Sequence, residues 1–162
     1  MNNLTADSSL NDCAQELDKM QKIIDVMGQA NPIVPFLTNY AIIKCCGTIE
    51  YCFKVIISDF HNSLPRQAKN YIQNNFSNSS MNPSKANICK SLRQFDEKWN
   101  DDFKAKLNSE PDKSRIEASL SSLNDARNMF AHGGNPAVSY SSVVAYFNDS
   151  KRIIEMLDDI VK

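Results

Sequence analysis

The chain has 162 residues, 42% of them apolar and 23% charged, a composition that gives a single domain enough core to fold without a metal or a disulfide. Eighteen basic residues against nineteen acidic ones leave a net charge of −1, which excludes a protein that coats nucleic acid through diffuse positive charge but leaves room for a local basic site. Four glycines and six prolines are too few for an all-β chain built on tight turns.

The first thirteen residues, MNNLTADSSLNDC, lack the basic and apolar regions of a signal peptide, and residues 1–8 are expected to be disordered. Leu10, Cys13, Leu17, Met20, Ile24 and Met27 recur at spacings of three and four, which predicts a helix over residues 9–28, ended by Asn31-Pro32 and Pro35. A second helix over residues 37–61 repeats Ile42, Cys45, Ile49, Cys52, Phe53, Ile56 and Phe60 on one face. Its most apolar part, residues 41–57, carries Lys44, Glu50 and Lys54 and is no membrane span. A short helix is predicted over residues 65–76, where Pro65 fits a first turn. The Asn/Ser-rich residues 74–87 read as a flexible loop.

Ile88, Leu92, Phe95, Trp99 and Phe103 then mark one helix, and Ile116, Leu120, Leu123 and Phe130 the next, stopped by Gly133 and Gly134. Val143, Phe147, Ile154, Leu157 and Val161 mark the last. With no strand pattern and no internal repeat, residues 1–162 are expected to form one all-α bundle of five or six helices. The five cysteines are odd in number and four lie in helical patterns, as free buried thiols do in a reducing compartment. No CxxC-like spacing with nearby histidine occurs, so neither a metal site nor a cofactor is expected, and the expected location is the cytoplasm.

Chemistry concentrates in Leu123-Asn-Asp-Ala-Arg-Asn-Met-Phe-Ala-His-Gly-Gly. Arg127 falls on the apolar stripe, where a guanidinium is costly unless paired or used. One reading is a core arginine–carboxylate pair that fixes helix register; the other is an anion-binding arginine in a cleft or subunit interface. His132 follows the helix end, where a cation also suits the helix dipole. On an ideal helix Arg127 and His132 point about 140° apart, so they converge only if the last turn distorts or a second subunit completes the site. Asn128 lies one turn before His132, close enough to orient the imidazole. Glu50 sits at the edge of the second helix's stripe, able to pair with Arg127 or, at i,i+4, with Lys54. His61 reads as a surface residue near a helix end.

The run Arg127-Asn-Met-Phe-Ala-His132 resembles the R-N-x-x-x-H signature of the HEPN superfamily, and the chain is most similar to the compact RiboL-PSP type. A leucine four residues before the arginine, glycine after the histidine, and the apolar helix bearing Glu50 carry the resemblance from about residue 37 to 161. It implies a HEPN-like bundle and a metal-independent endoribonuclease that acts as a homodimer on RNA, plausible in a toxin or phage-defence effector with an antitoxin or defence-system partner. By the same resemblance Arg127 holds the scissile phosphate, His132 acts as acid or base, Asn128 orients the histidine or the RNA, and Glu50 touches the site. Some family toxins carry a tyrosine two residues beyond the histidine as a modification switch; here that position is Gly134, and the nearest downstream tyrosine is Tyr140. The alternatives are a non-catalytic HEPN-like binding or regulatory module and, with no glycine-rich phosphate loop in support, a nucleotide-binding bundle.

Overall fold

In a computed structural model, which describes all 162 residues, the chain folds into seven α-helices and no strands. They are α1 (Leu4–Met27), α2 (Val34–Phe60), α3 (Arg66–Ile72), α4 (Lys85–Phe95), α5 (Glu97–Ser109), α6 (Lys113–Ala131) and α7 (Tyr140–Ile160), with a π-helical turn at Gln73–Ser77 that continues α3. α2 packs against α1, α6 and α7, and α7 also packs on α5 and α6. The core holds Phe53, Phe103 and Phe147, its largest fully buried side chains, together with Ile24, Ile42 and Ile49. Burial of each such side chain is worth about 1.5–3 kcal/mol. No helix is long and apolar enough to cross a membrane.

The count exceeds five or six because the helix expected to run from Ile88 to Phe103 is two. Asp96 is extended (φ −155°, ψ 121°), and its side chain accepts from the Lys98 N–H at 2.7 Å to cap α5. The apolar spacing carries on through this break, so periodicity alone conceals it.

Helix α1 begins at Leu4, within the first eight residues. Asn3 caps α1 by accepting from the Ala6 N–H at 2.8 Å, and the carboxylate of Asp158, near the end of α7, accepts from the backbone N–H groups of both Asn2 and Asn3. With this long-range anchor α1 starts at Leu4, five residues before the expected start at residue 9. Asp158 is buried, so Asp158→Ala strands those donors and should cost roughly 1–3 kcal/mol, measurable as a lower urea midpoint; an unchanged midpoint would show that the anchor contributes nothing.

The segment over residues 74–87 carries helical structure at both ends. The π-turn occupies its start, Phe76 packs edge-on against Phe53 and Phe95, and α4 begins at Lys85 behind its Ser84 cap. Lys54, only 6% exposed, donates to Glu50 at 2.6 Å and to the Ser79 carbonyl, and Glu50 accepts from the Met81 N–H at 2.9 Å. His61 is not a plain surface residue. It caps α2, lies half-buried among Phe60, Phe95 and Trp99, and shares a 2.8 Å hydrogen bond between its Nδ1 and the Ile57 carbonyl. Cys13, Cys45, Cys46 and Cys52 are buried free thiols and Cys89 is half-buried.

Candidate functional site

The site begins with how α6 ends. Gly133 has φ +80° and its N–H donates to the Phe130 carbonyl at 3.0 Å, while the Gly134 N–H donates to the Met129 carbonyl at 2.9 Å. This pair of bonds is a Schellman closure, which needs a left-handed residue just past the cap. A Cβ on Gly134 would lie 2.8 Å from the Met129 Cγ. The two glycines therefore hold His132 at the C-cap, exposed, with its N–H bonded to the Asn128 carbonyl at 3.0 Å. Gly133→Ala forces an L-residue into the left-handed region and should destabilise by roughly 1–2 kcal/mol. Thermal melting checks this, and a variant as stable as wild type would show that the closure does not need glycine.

Arg127 does not form the core arginine–carboxylate pair. It takes part in none of the chain's ion pairs. It is half-exposed, and its Nη1 donates to the Asn128 Oδ1 at 3.2 Å. At 100° per residue Arg127 and Phe130 keep the angular position of the buried residues Ile116, Leu120 and Leu123. Even so, Phe130 is 38% and its neighbour Met129 51% exposed. The last turn of α6 is only partly covered by the rest of the chain.

The sequence places Arg127, Asn128 and His132 together and the structure joins the first two directly. Asn128 is bonded to the arginine and not to the imidazole. Glu50 stands apart. α2 runs antiparallel to α6: the Cys46 thiol donates to the Asn124 Oδ1 at 3.3 Å, while the start of α2 shares a cleft with residues 135–140 after α6. No ion pair or hydrogen bond joins Glu50 to Arg127. Glu50 is engaged by Lys54 and the Met81 N–H. Its charge and that of Arg127 meet only at a distance on the Cys46 thiol, which burial pushes up to about 12, Arg127 draws down and Glu50 raises.

Two features lay outside the sequence reading. An exposed apolar row, Phe36, Tyr40, Ile43 and Tyr51, follows one face of α2; its spacings of three, four and eight were available to find it, overshadowed by the stronger buried stripe. A polar cleft of about 690 Å³ lies between α2 and the 73–80 segment, lined by Glu50, Lys54, Ser58, Ser77 and Asn78 among others; Arg127, Asn128 and His132 do not line it. Tyr140 is buried and donates its hydroxyl to the Leu17 carbonyl at 2.6 Å, a core role in which burial raises the phenol well above its usual range.

A family model described as RiboL-PSP-HEPN matches residues 8–162. The chain belongs to this HEPN-type family. No curated protein and no solved structure matches it.

Proposed function

We propose that the chain is a metal-independent endoribonuclease whose site is completed by a second copy of itself, in a toxin or phage-defence effector whose other partner is an antitoxin or defence-system protein. The observation that carries this reading is a partly exposed Arg127, outside every ion pair of the chain, on the same helix end as an exposed His132. A guanidinium held by a neutral amide keeps its charge and most of its donors for an anion, and RNA supplies one at every phosphate. Asn128, which accepts from Arg127, serves as the positioning residue for that guanidinium.

In the proposed reaction the ribose 2′-oxygen attacks the adjacent phosphorus, the bond from phosphorus to the 5′-oxygen breaks, and a cyclic phosphate and a 5′-hydroxyl result. Arg127 stabilises the negative charge that develops on the phosphoryl oxygens. His132 takes the 2′-proton or delivers one to the leaving oxygen, and two copies facing one cleft supply an imidazole for each task. Glu50 contributes indirectly by anchoring Lys54 and the 79–81 segment.

The test is cleavage of RNA in EDTA with analysis of the product ends. Activity that persists, with cyclic or 3′-phosphate and 5′-hydroxyl ends, is the expected result. Activity abolished by EDTA, restored by magnesium and yielding 5′-phosphates would overturn the mechanism. The uncovered apolar face also favours a second reading, a non-catalytic binding module, for which no RNA is cleaved under either condition.

A further inference from the structure

The midpoint of α2 is a glycine for which the chain's own packing gives no reason. Gly47 lies in the middle of this 27-residue helix, exposed, and a Cβ there would meet no atom within 4 Å. Glycine in a helix interior is less stable than alanine, so the missing side chain is a cost that nothing inside the chain offsets. The position belongs to the exposed apolar row. At 100° per residue Phe36, Tyr40, Ile43, Gly47 and Tyr51 fall within about 80° of arc, at spacings of four, three, four and four, the pattern of a helix-packing seam. The four large side chains are 40% to 73% exposed. Gly47 is the notch in this seam, and with Tyr40, Ile43 and Tyr51 it lines a cleft of about 440 Å³.

We infer that α2 crosses the α2 of a second copy at Gly47, where the missing side chain lets two backbones approach while Ile43 and Tyr51 of each copy close around the crossing; the inference rests on the two-copy reading and gives it a contact point. The charges that flank the seam on α2 favour a copy over a charged partner. Lys44 pairs with Glu16 at 2.5 Å and Glu50 with Lys54 at 2.6 Å, so a copy brings no unpaired like charge from α2. The cleft's remaining charge, Asp12, is exposed on α1 and lies off the seam. The Tyr40 hydroxyl donates to Glu16, so its ring can be covered without stranding a donor. The candidate site is also close by. Cys46, the residue before Gly47, bonds to Asn124 on α6, three residues before Arg127. A two-fold axis at Gly47 therefore passes roughly 10 Å, about one helix spacing, from the α6 of each copy.

Two variants of the full chain test the crossing. Gly47→Leu adds a side chain where a lone chain has open space, so it should keep the helical circular-dichroism spectrum of wild type. Its dimer should dissociate at a concentration roughly tenfold or more above that of wild type, read by sedimentation, because the crossing is overpacked from both sides. Gly47→Cys in a Cys89→Ser background, the other four cysteines being buried, should join two chains when oxidised glutathione is the oxidant. A residue at the crossing meets its own copy within the Cα separation of about 7 Å that a disulfide tolerates. Val26→Cys in the same background, 89% exposed on α1, is the control and should stay single. The crossing is overturned by a Gly47→Leu chain that dimerises like wild type, or by Val26→Cys cross-linking as readily as Gly47→Cys. It is overturned equally by a wild-type chain that stays monomeric at micromolar concentration and so leaves the face to another occupant. The cross-link decides the matter if Gly47→Leu does not fold. A cross-linked dimer whose wild type cleaves no RNA leaves the crossing standing and removes the ribonuclease reading; a dimer that cleaves RNA and is indifferent to Gly47→Leu does the reverse.

Discussion

Arg127→Ala and His132→Ala are expected to fold, to melt within about 1 kcal/mol of wild type, and to lose RNA cleavage by about a hundredfold or more. The stability half of this expectation follows from what the side chains touch. Arg127 has no carboxylate to leave stranded in the core, and its one side-chain bond is to the neighbouring Asn128. His132 is exposed at a cap whose hydrogen bonds are made by backbone, so removing its imidazole leaves the Schellman closure in place. The activity half follows from the proposed chemistry, because a charge that develops in the transition state loses its stabilising cation and the proton loses its carrier. Thermal melting and cleavage of both variants beside wild type decide the matter. Variants that melt normally and cleave at wild-type rate would remove both residues from the mechanism, and variants that fail to fold would restore a structural role for them.

The parts of this fold legible from sequence are those governed by local rules. The stripes of α1, α2, α6 and α7 follow from apolar spacing, and the end of α6 follows from Gly133 and Gly134. What escaped depends on partners distant in sequence. The carboxylate that orders Asn2 and Asn3 comes from Asp158 at the other end of the chain. His61 is held by Phe95 and Trp99 from beyond the 74–87 segment. The break at Asp96 is a different kind of miss: an aspartate cap signal was present, and an uninterrupted apolar spacing outweighed it.

The site divides along the same line. Arg127, Asn128 and His132 are neighbours in sequence, so a short pattern suffices to single them out. Whether Arg127 is paired depends on which carboxylates the packing leaves free, and Glu50 is taken instead by Lys54 and the Met81 N–H. Periodicity also places Arg127 and Phe130 on the buried face correctly in angle. It carries no information on how far along its axis a helix stays covered, which is why Arg127 is partly exposed and Phe130 38% exposed.

That uncovered end leads to the second large effect, on assembly. Phe36, Tyr40, Ile43 and Tyr51 on α2, beside α1, and Met129 and Phe130 at the end of α6 are exposed apolar side chains, and a two-fold axis lets one such patch cover its own copy. The same axis would bring the two Arg127–His132 segments to one cleft and relieve their divergence on a single helix. Ile43, 40% exposed within the α2 row, is the place to break the contact. In a lone chain Ile43→Glu projects into water and should change stability by no more than about 0.5 kcal/mol. Between two chains it sets like charges against each other on a surface about to lose its water, a cost of several kcal/mol. The variant is therefore expected to sediment as a folded monomer where wild type is a dimer, and to lose cleavage by about a hundredfold or more, since neither half of the site holds the phosphate and moves both protons alone. A wild-type chain that is strictly monomeric at micromolar concentration, or a monomeric Ile43→Glu that cleaves at wild-type rate, would sink the composite site.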